Sequence, residues 1–156
     1  MKQLKNERGL TLVELLAVIV ILAIIAAIAA VAIGNVINNS KDKAILSDAV
    51  TIIDGAKIAI MDDVGTKGVG EAADTVTLGK DELTPYVELS EEKWKSGNVE
   101  TKVTVTEDPT KGTSYKITYG KLNDIKNSKY TPSDLAENTA SLEKILEALE
   151  GNGTGK

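Results

Sequence analysis

The chain has 156 residues, of which 42% are hydrophobic and 26% are charged, and its formal net charge at pH 7 is −5. It contains no cysteine and no histidine, which excludes disulfides, thiolate or imidazole metal sites, and catalysis by a Cys or His base or a Ser-His-Asp triad. Phenylalanine is absent and aromatic residues make up 3%, so the core must be built from Val, Ile, Leu and Ala. We therefore expect a protein that is not an enzyme and that needs no cofactor or metal.

A short basic leader precedes a long apolar stretch. Residues 1–9 contain three basic residues and one acidic residue, and Leu15 to Ile33 are 19 uninterrupted apolar positions. A helix needs about 20 apolar residues to cross the hydrocarbon core of a membrane, and residues 10–33 provide that length with only Thr11 and Glu14 interrupting it. The positive-inside tendency keeps the leader in the cytoplasm and sends the remainder outside. The sequence therefore predicts a single-pass membrane helix.

Glu14 lies one helical turn inside this predicted span. Apolar surroundings make an unpaired carboxylate cost up to about 3 kcal/mol, so such a residue normally has a partner. The run Gly9-Leu10-Thr11-Leu12-Val13-Glu14, followed by the apolar stretch, resembles the type III leader of type IV pilins and pseudopilins. That resemblance covers the N-terminal part of the chain and gives its residues specific expected roles.

The resemblance implies a processing site and an assembly residue. A prepilin peptidase is expected to cut after Gly9 and to N-methylate Leu10, leaving a mature chain of net charge −7 because the leader removes three basic residues and one acidic residue. Glu14 would then meet the N-terminal amine of a neighbouring subunit, since two unlike charges buried together cost less than either alone. It would also lie near the positive end of the helix dipole. The competing interpretation is that Leu10 and Glu14 pair as i and i+4 within one chain.

Two features differ from the family pattern or compete with it. The mature chain would begin with Leu10, where many members have Phe, and no Pro or Gly interrupts Leu15 to Ile33, so local melting of this helix in a filament stays an open question. The segment Ala30-Val31-Ala32 also fits a secretory cleavage site after Ala32, although its apolar region is longer than the usual length of about 7–15 residues.

The helix is expected to continue beyond the membrane. After Gly34, apolar residues recur close to one face of a 3.6-residue period, and charged residues including Asp42 occupy the other faces. Read together, residues 10 to about 63 predict one long helix with a joint around residues 34–40, where Gly and Asn lower helix propensity. The predicted apolar stripe consists of Ile37, Ile45, Ala49, Ile52 or Ile53, Ala56 and Ile60.

The middle of the chain predicts short elements followed by a hairpin. A loop is expected at residues 65–70, a short strand at 74–78, and helical turns within 80–94, with Trp94 as a packing residue. Val99, Thr101, Val103 and Val105 then alternate with polar residues, a turn follows at residues 108–112, and Tyr115, Ile117 and Tyr119 alternate in a second strand. This pattern predicts an antiparallel hairpin whose apolar face covers the long helix.

The C-terminal part predicts a helix. Thr131 is expected to be its N-cap, with Pro132 at the first helical position and Asp134 in the first turn, although residues 138–141 interrupt the pattern. Its apolar face would contain Leu135, Leu142, Ile145, Leu146 and Leu149. Gly151 fits the position just past the helix end, and residues 151–156 are expected to be a flexible tail.

One charged cluster has two interpretations. Five lysines lie near three tyrosines between residues 111 and 130, as in a surface for DNA or another acidic partner, or the lysines face the glutamates of the following helix or a neighbouring subunit. Nucleic acid is not the expected partner. The residues of the cluster are Lys111, Lys116, Lys121, Lys126, Lys129, Tyr115, Tyr119 and Tyr130.

The acidic pairs along the chain lack the spacing of a calcium loop and are interpreted as solvated surface.

These observations predict an α+β pilin fold, in which a long N-terminal helix packs on a small antiparallel sheet and a C-terminal helix follows. The expected organisation is a leader at 1–9, a transmembrane and polymerisation helix at 10–33, an extracytoplasmic head at 34–150 and a tail at 151–156. The resemblance implies a subunit of a type IV pilus, held in the cytoplasmic membrane as a prepilin and located at the cell surface after assembly. The alternatives are a pseudopilin of a type II secretion or DNA-uptake system, and a membrane-anchored or secreted binding module.

The same resemblance implies partners. They are prepilin peptidase, an assembly platform with its ATPase, minor pilins, other copies of the chain, and the membrane before assembly. Whether the filament serves adhesion, motility or DNA uptake does not follow from the sequence.

Overall fold

The computed structural model describes residues 11–67 and 74–154. The leader, the cleavage position Gly9 and the methylation position Leu10 therefore lie outside the described residues, as do residues 68–70 of the loop predicted at 65–70. The chain divides into two compact units, the first ending at Ile37 and the second beginning at Asn38.

A single helix, α1, extends from Leu12 to Met61, so the prediction of one helix from residue 10 to about 63 is confirmed. Helical structure continues through residues 34–40, and the boundary between the two compact units falls in this same segment. Each Gly or Asn in this segment lowers helix stability by only about 1 kcal/mol or less relative to Ala. This loss is too small to interrupt the backbone hydrogen bonds of the helix.

The second compact unit contains a five-stranded antiparallel sheet. The strands are β1 Thr66–Lys67, β2 Asp74–Leu78, β3 Lys95–Ser96, β4 Val99–Glu100, β5 Lys102–Asp108, β6 Gly112–Thr118 and β7 Thr139–Ser141. The α-helices after α1 are α2 Lys80–Leu83, α3 Glu91–Trp94 and α4 Leu142–Leu149, and 3-10 helices lie at Gly120–Asp124 and Ser128–Tyr130. The strand order in the sheet is β1-β2-β5-β6-β7, and a separate two-stranded ribbon pairs β3 with β4. The short helices α2 and α3 connect β2 to the ribbon, which confirms the helical turns predicted in this segment.

The second half of α1 forms one side of a shared hydrophobic core with the sheet and α4. Ala and Ile side chains dominate the helix face, as the composition requires, and the fold class α+β is confirmed. The stripe predicted from the sequence needs two corrections: Ile37 is 47% exposed, and Asp42, assigned to a polar face, is 2% exposed. The fully buried helix residues include Leu46, Ala49, Ile52, Ile53, Ala56 and Ala59, and those of the sheet and α4 include Val103, Ile117 and Ile145.

The predicted hairpin is formed by β5 and β6, with Val103 opposite Ile117 and Val105 opposite Tyr115. The first strand, however, is interrupted at Thr101. Thr101 N donates to Trp94 O at 2.8 Å, and Thr101 Oγ1 donates to Lys93 O at 2.7 Å. These bonds attach Thr101 to the end of α3, so the residues before it pair with β3 instead of continuing the hairpin.

The C-terminal helix is present but begins later than predicted. Glu137 and Asn138 have φ values of 49° and 65°, a backbone region that helices do not use. The Asp134 carboxylate accepts the N–H of Ser141 at 2.9 Å and so serves a turn that leads into β7. The prediction of a helix opening at Thr131 is therefore wrong, and α4 begins only at Leu142.

Past α4 the chain turns as predicted, since Gly151 has φ 87°, which favours glycine. The backbone N–H of Gly153 donates to Lys129 O at 2.9 Å. The flexibility of residues 151–156 stays a prediction.

Candidate assembly site at the start of the long helix

The first turn of α1 is closed by a reciprocal cap between Thr11 and Glu14. Glu14 Oε2 accepts the backbone N–H of Thr11 at 2.9 Å and the Thr11 hydroxyl at 3.0 Å. In return, the N–H of Glu14 donates to Thr11 Oγ1 at 3.3 Å. This is a capping box, in which an N-cap threonine and a glutamate three residues later satisfy each other's backbone N–H groups.

The sequence contains the signal for this cap, Thr-x-x-Glu just before an apolar run, whereas the i, i+4 spacing predicts Leu10 as the local partner of Glu14. Leu10 lies outside the described residues. The structure therefore adds Thr11 as a residue that orients the Glu14 carboxylate at the positive end of the helix dipole. Both bonds from Thr11 fall on Oε2.

The apolar half of α1 presents large hydrophobic side chains on every side. Leu12 is 85% exposed and Val31 is 69% exposed, and the intervening Leu, Ile and Val residues are similarly uncovered. α1 is the one helix among the described residues that is long and apolar enough to cross a membrane. A helix that is hydrophobic all round is stable only where lipid or other apolar helices cover it.

The second candidate site, the lysine and tyrosine cluster, does not form an aromatic platform for nucleic acid. Tyr119 and Tyr130 are buried, and the Tyr119 hydroxyl points to Asp48 Oδ2 at 3.5 Å. Lys121 pairs with Asp124 at 3.8 Å. Two of the three tyrosines are therefore part of the core and are not available to stack on nucleic acid bases, which need open ring faces.

Trp94 lies beside a cavity between α2, α3 and the β3–β4 ribbon. Its ring is 3% exposed, which confirms the prediction of a packing residue. The charged lining of the cavity includes Lys80 and Glu91, whose Nζ and Oε1 atoms are 2.7 Å apart. In residues 11–67 and 74–154, no group of three or more acidic side chains is placed to hold a metal ion.

Residues 4–30 match the family model of the prokaryotic N-terminal methylation motif. No curated protein and no solved structure matches the chain significantly. The matched segment includes the predicted cleavage and methylation positions, Glu14 and most of the apolar half of α1. The chain therefore carries the leader signature of type IV prepilins, joined to an α+β head.

Proposed function

We propose that this protein is the structural subunit of a type IV pilus. It is cut after Gly9 by prepilin peptidase, methylated at Leu10 and polymerised through the apolar half of α1. The observation that carries this proposal is the continuity of the methylation motif, residues 4–30, with a helix whose apolar side chains are uncovered. A simple membrane anchor would require a helix of the same length but would not require a methylation motif.

Assembly would exchange lipid contacts for helix contacts. Because lipid tails are as apolar as Leu and Ile side chains, packing geometry and polar pairing decide which helices associate. The capping box holds Glu14 at the helix end, where the new amine of a neighbouring subunit can approach. Pairing of this amine with the Glu14 carboxylate fixes the axial register, since either charge alone in an apolar bundle is costly.

The proposed location follows from the same features. The prepilin resides in the cytoplasmic membrane with the head outside, and its partners are prepilin peptidase, the assembly platform with its ATPase, minor pilins and copies of itself. The matched motif is equally compatible with a pseudopilin, which would form only short assemblies within the cell envelope. Filament length therefore distinguishes the two candidates.

The first test is the intact mass and N-terminal sequence of protein sheared from native cells. The expected result is a chain that begins with methylated Leu10 and sediments as a filament. A chain that begins at Met1 or at Ile33 would contradict the proposal and indicate an anchored or secreted module. Correct processing without extracellular filaments would support the pseudopilin instead.

A set of three variants tests the role of Glu14. Glu14→Ala removes both the charge and the cap, Glu14→Gln removes the charge while keeping an oxygen acceptor, and Thr11→Ala removes the side-chain cap while keeping the charge. We expect all three to be cut after Gly9, and only Thr11→Ala to form filaments. If Glu14→Gln assembles normally, the charge has no role in register, and the pairing with a neighbouring amine is wrong.

A further inference from the structure

Four exposed lysines belong to one turn of α1 and to the loop that packs on it. We refer to Lys41, Lys43, Lys126 and Lys129 as the basic collar. Lys43 Nζ lies 5.4 Å from the centre of the Tyr130 ring, and Lys129 Nζ lies 5.8 Å from the same centre. Two segments that are far apart in sequence therefore bring their ammonium groups to a single aromatic ring.

The buried carboxylate of Asp42 connects α1, which carries Lys41 and Lys43, to the loop that carries Lys126 and Lys129. Asp42 Oδ1 accepts the N–H of Lys126 at 3.2 Å and Oδ2 accepts the N–H of Asn127 at 2.9 Å. Asn127 Nδ2 donates in turn to Asn39 Oδ1 at 2.8 Å. Because the negative charge of Asp42 faces backbone N–H groups, it fixes the loop on α1 without pairing with any of the four lysines.

The collar has little acidic compensation. Within the described part of the chain, none of its lysines has an ion pair within 4.0 Å. Asp124 is paired with Lys121 at 3.8 Å, and Glu137 is the acidic residue that lines the same groove as Lys126. Four exposed lysines without an ion pair among the described residues give this region a local positive potential on a chain whose overall charge is negative.

The collar also follows the apolar span closely in sequence. Lys41 comes eight residues after Ile33, which is about two helical turns. The polar headgroup layer extends about 5–7 Å beyond each side of the hydrocarbon core, and lysine side chains reach toward it while their stems rest on apolar surface. Lys41 and Lys43 therefore lie on the part of α1 that follows the span, and Lys126 and Lys129 belong to the loop that Asp42 attaches to it.

We propose that the basic collar binds the phosphate groups of anionic phospholipids on the outer face of the membrane before the subunit is assembled. The proposal rests only on the membrane-inserted state of the proposed function. Phosphate oxygens accept hydrogen bonds from ammonium groups, and each lysine near an anionic surface raises membrane affinity by about fivefold. An acidic face on a second copy would offer similar charge, but the short sequence distance to the span favours lipid.

The test measures lysine acylation in the full chain inserted into nanodiscs. One set of discs contains phosphatidylcholine alone, and the other contains equal amounts of phosphatidylcholine and phosphatidylglycerol. Mass spectrometry of peptides compares the collar with Lys111 and Lys116, which are exposed on the β5–β6 hairpin. We expect acylation of the collar to slow by about threefold or more in the anionic discs, with recovery in high salt.

A charge-reversed pair of variants provides the matched control. Lys126→Glu with Lys129→Glu should abolish the lipid-dependent protection of Lys43, and Lys111→Glu with Lys116→Glu should leave it intact. Circular dichroism checks that each variant is folded.

Three outcomes overturn the proposal. They are equal acylation in both discs, equal protection by inorganic phosphate in phosphatidylcholine discs, and protection that depends on protein density instead of lipid, which would indicate a second copy. Since the chain is unassembled in this experiment, failure here leaves the filament tests above unaffected.

Discussion

Asp42 is a charged residue on the core face of α1, and its carboxylate accepts backbone N–H groups of Lys126 and Asn127. Helical periodicity cannot identify such a residue, because an isolated Asp normally marks a solvated face. Burial is tolerated here because both oxygens have donors. The same bonds connect the helix to a loop more than 80 residues later.

Asp42→Ala is therefore expected to lower the free energy of unfolding by about 3 kcal/mol, because two partly buried N–H groups lose their acceptor. Urea denaturation of the full chain in detergent micelles measures the loss. Asp54→Ala is the matched control on the same helix, since the Asp54 pair with Lys57 is exposed and should contribute less than about 1 kcal/mol. Equal effects of the two variants would show that the Asp42 bonds do not stabilise the fold.

Tyr119 makes the head sensitive to alkaline pH. Burial of its ring, the nearby Asp48 carboxylate and the bond to that carboxylate all raise the pKa of the Tyr119 hydroxyl. A group whose folded pKa lies above its unfolded value stabilises the fold fully below the unfolded pKa, which is about 10 for tyrosine. That contribution disappears as the pH rises through the folded pKa.

The expected result is that the urea midpoint of the wild type falls as the pH rises above about 10. Tyr119→Phe cannot ionise, so its midpoint should fall less over the same range, whereas Tyr115→Phe, at a half-buried position on β6, should follow the wild type. Parallel curves for wild type and Tyr119→Phe would refute a role for this hydroxyl.

At the scale of elements, glycines in α1 have different consequences in the two halves of the helix. A Cβ at Gly55 would collide with Val87 Cγ2, whereas a Cβ at Gly34 would meet nothing within 4 Å. Gly55 thus permits close packing between α1 and the segment after α2. Helix propensity alone treats both positions alike, as a loss of about 1 kcal/mol relative to Ala.

Gly55→Ala should destabilise the head by about 1–3 kcal/mol, because the steric cost of overpacking exceeds the gain in helix propensity. Gly34→Ala, the matched control, should leave the stability unchanged or raise it by up to about 1 kcal/mol. Thermal unfolding of the two variants gives the comparison. A stabilised Gly55→Ala protein would indicate that the contact with Val87 relaxes freely.

The α4 helix illustrates a second effect at this scale. The sequence places Ile145 and Leu146 on the same apolar face, yet Ile145 is fully buried and Leu146 is 43% exposed. The reason is that α4 begins at Leu142 and is oriented by β7, which pairs with β6. Periodicity defines an apolar face but not the part of it that the sheet covers.

At the scale of the whole molecule, the head has all of its core within the second compact unit. The buried hydrophobic residues of that core lie between Leu46 and Ala148, whereas the large hydrophobic side chains of the first unit are exposed. We therefore expect the head to fold without the membrane span. Each unit has its own source of stability, a hydrophobic core in one and a surrounding apolar phase in the other.

A fragment of residues 38–156 is accordingly expected to be water-soluble and to unfold cooperatively in urea, with a free energy of about 5–10 kcal/mol. The free energy of unfolding is measured by circular dichroism in urea and by amide hydrogen exchange at Ile52 and Ile117. A fragment that begins after Leu46 lacks both Asp42 and a fully buried leucine, so it should lose about 3 kcal/mol or more. Non-cooperative unfolding of the longer fragment would show that the span contributes to the fold of the head.

The membrane span, the prepilin leader signature, the long helix and the β5–β6 hairpin can all be predicted from the amino-acid sequence alone. Each of these follows from local composition or from a repeat over neighbouring residues, which a single chain segment contains in full. Glu14 can also be identified from the sequence, since its position relative to Gly9 and the apolar run is a property of sequence alone.

The burial of Asp42, the break at Thr101 and the start of the last helix at Leu142 in place of Thr131 depend on the folded structure. Each depends on a partner supplied by another part of the chain: the backbone of Lys126 and Asn127, the end of α3, and the carboxylate of Asp134. Buried polar groups take whichever partner the fold brings within hydrogen-bond distance, and residue order along the chain does not specify that distance.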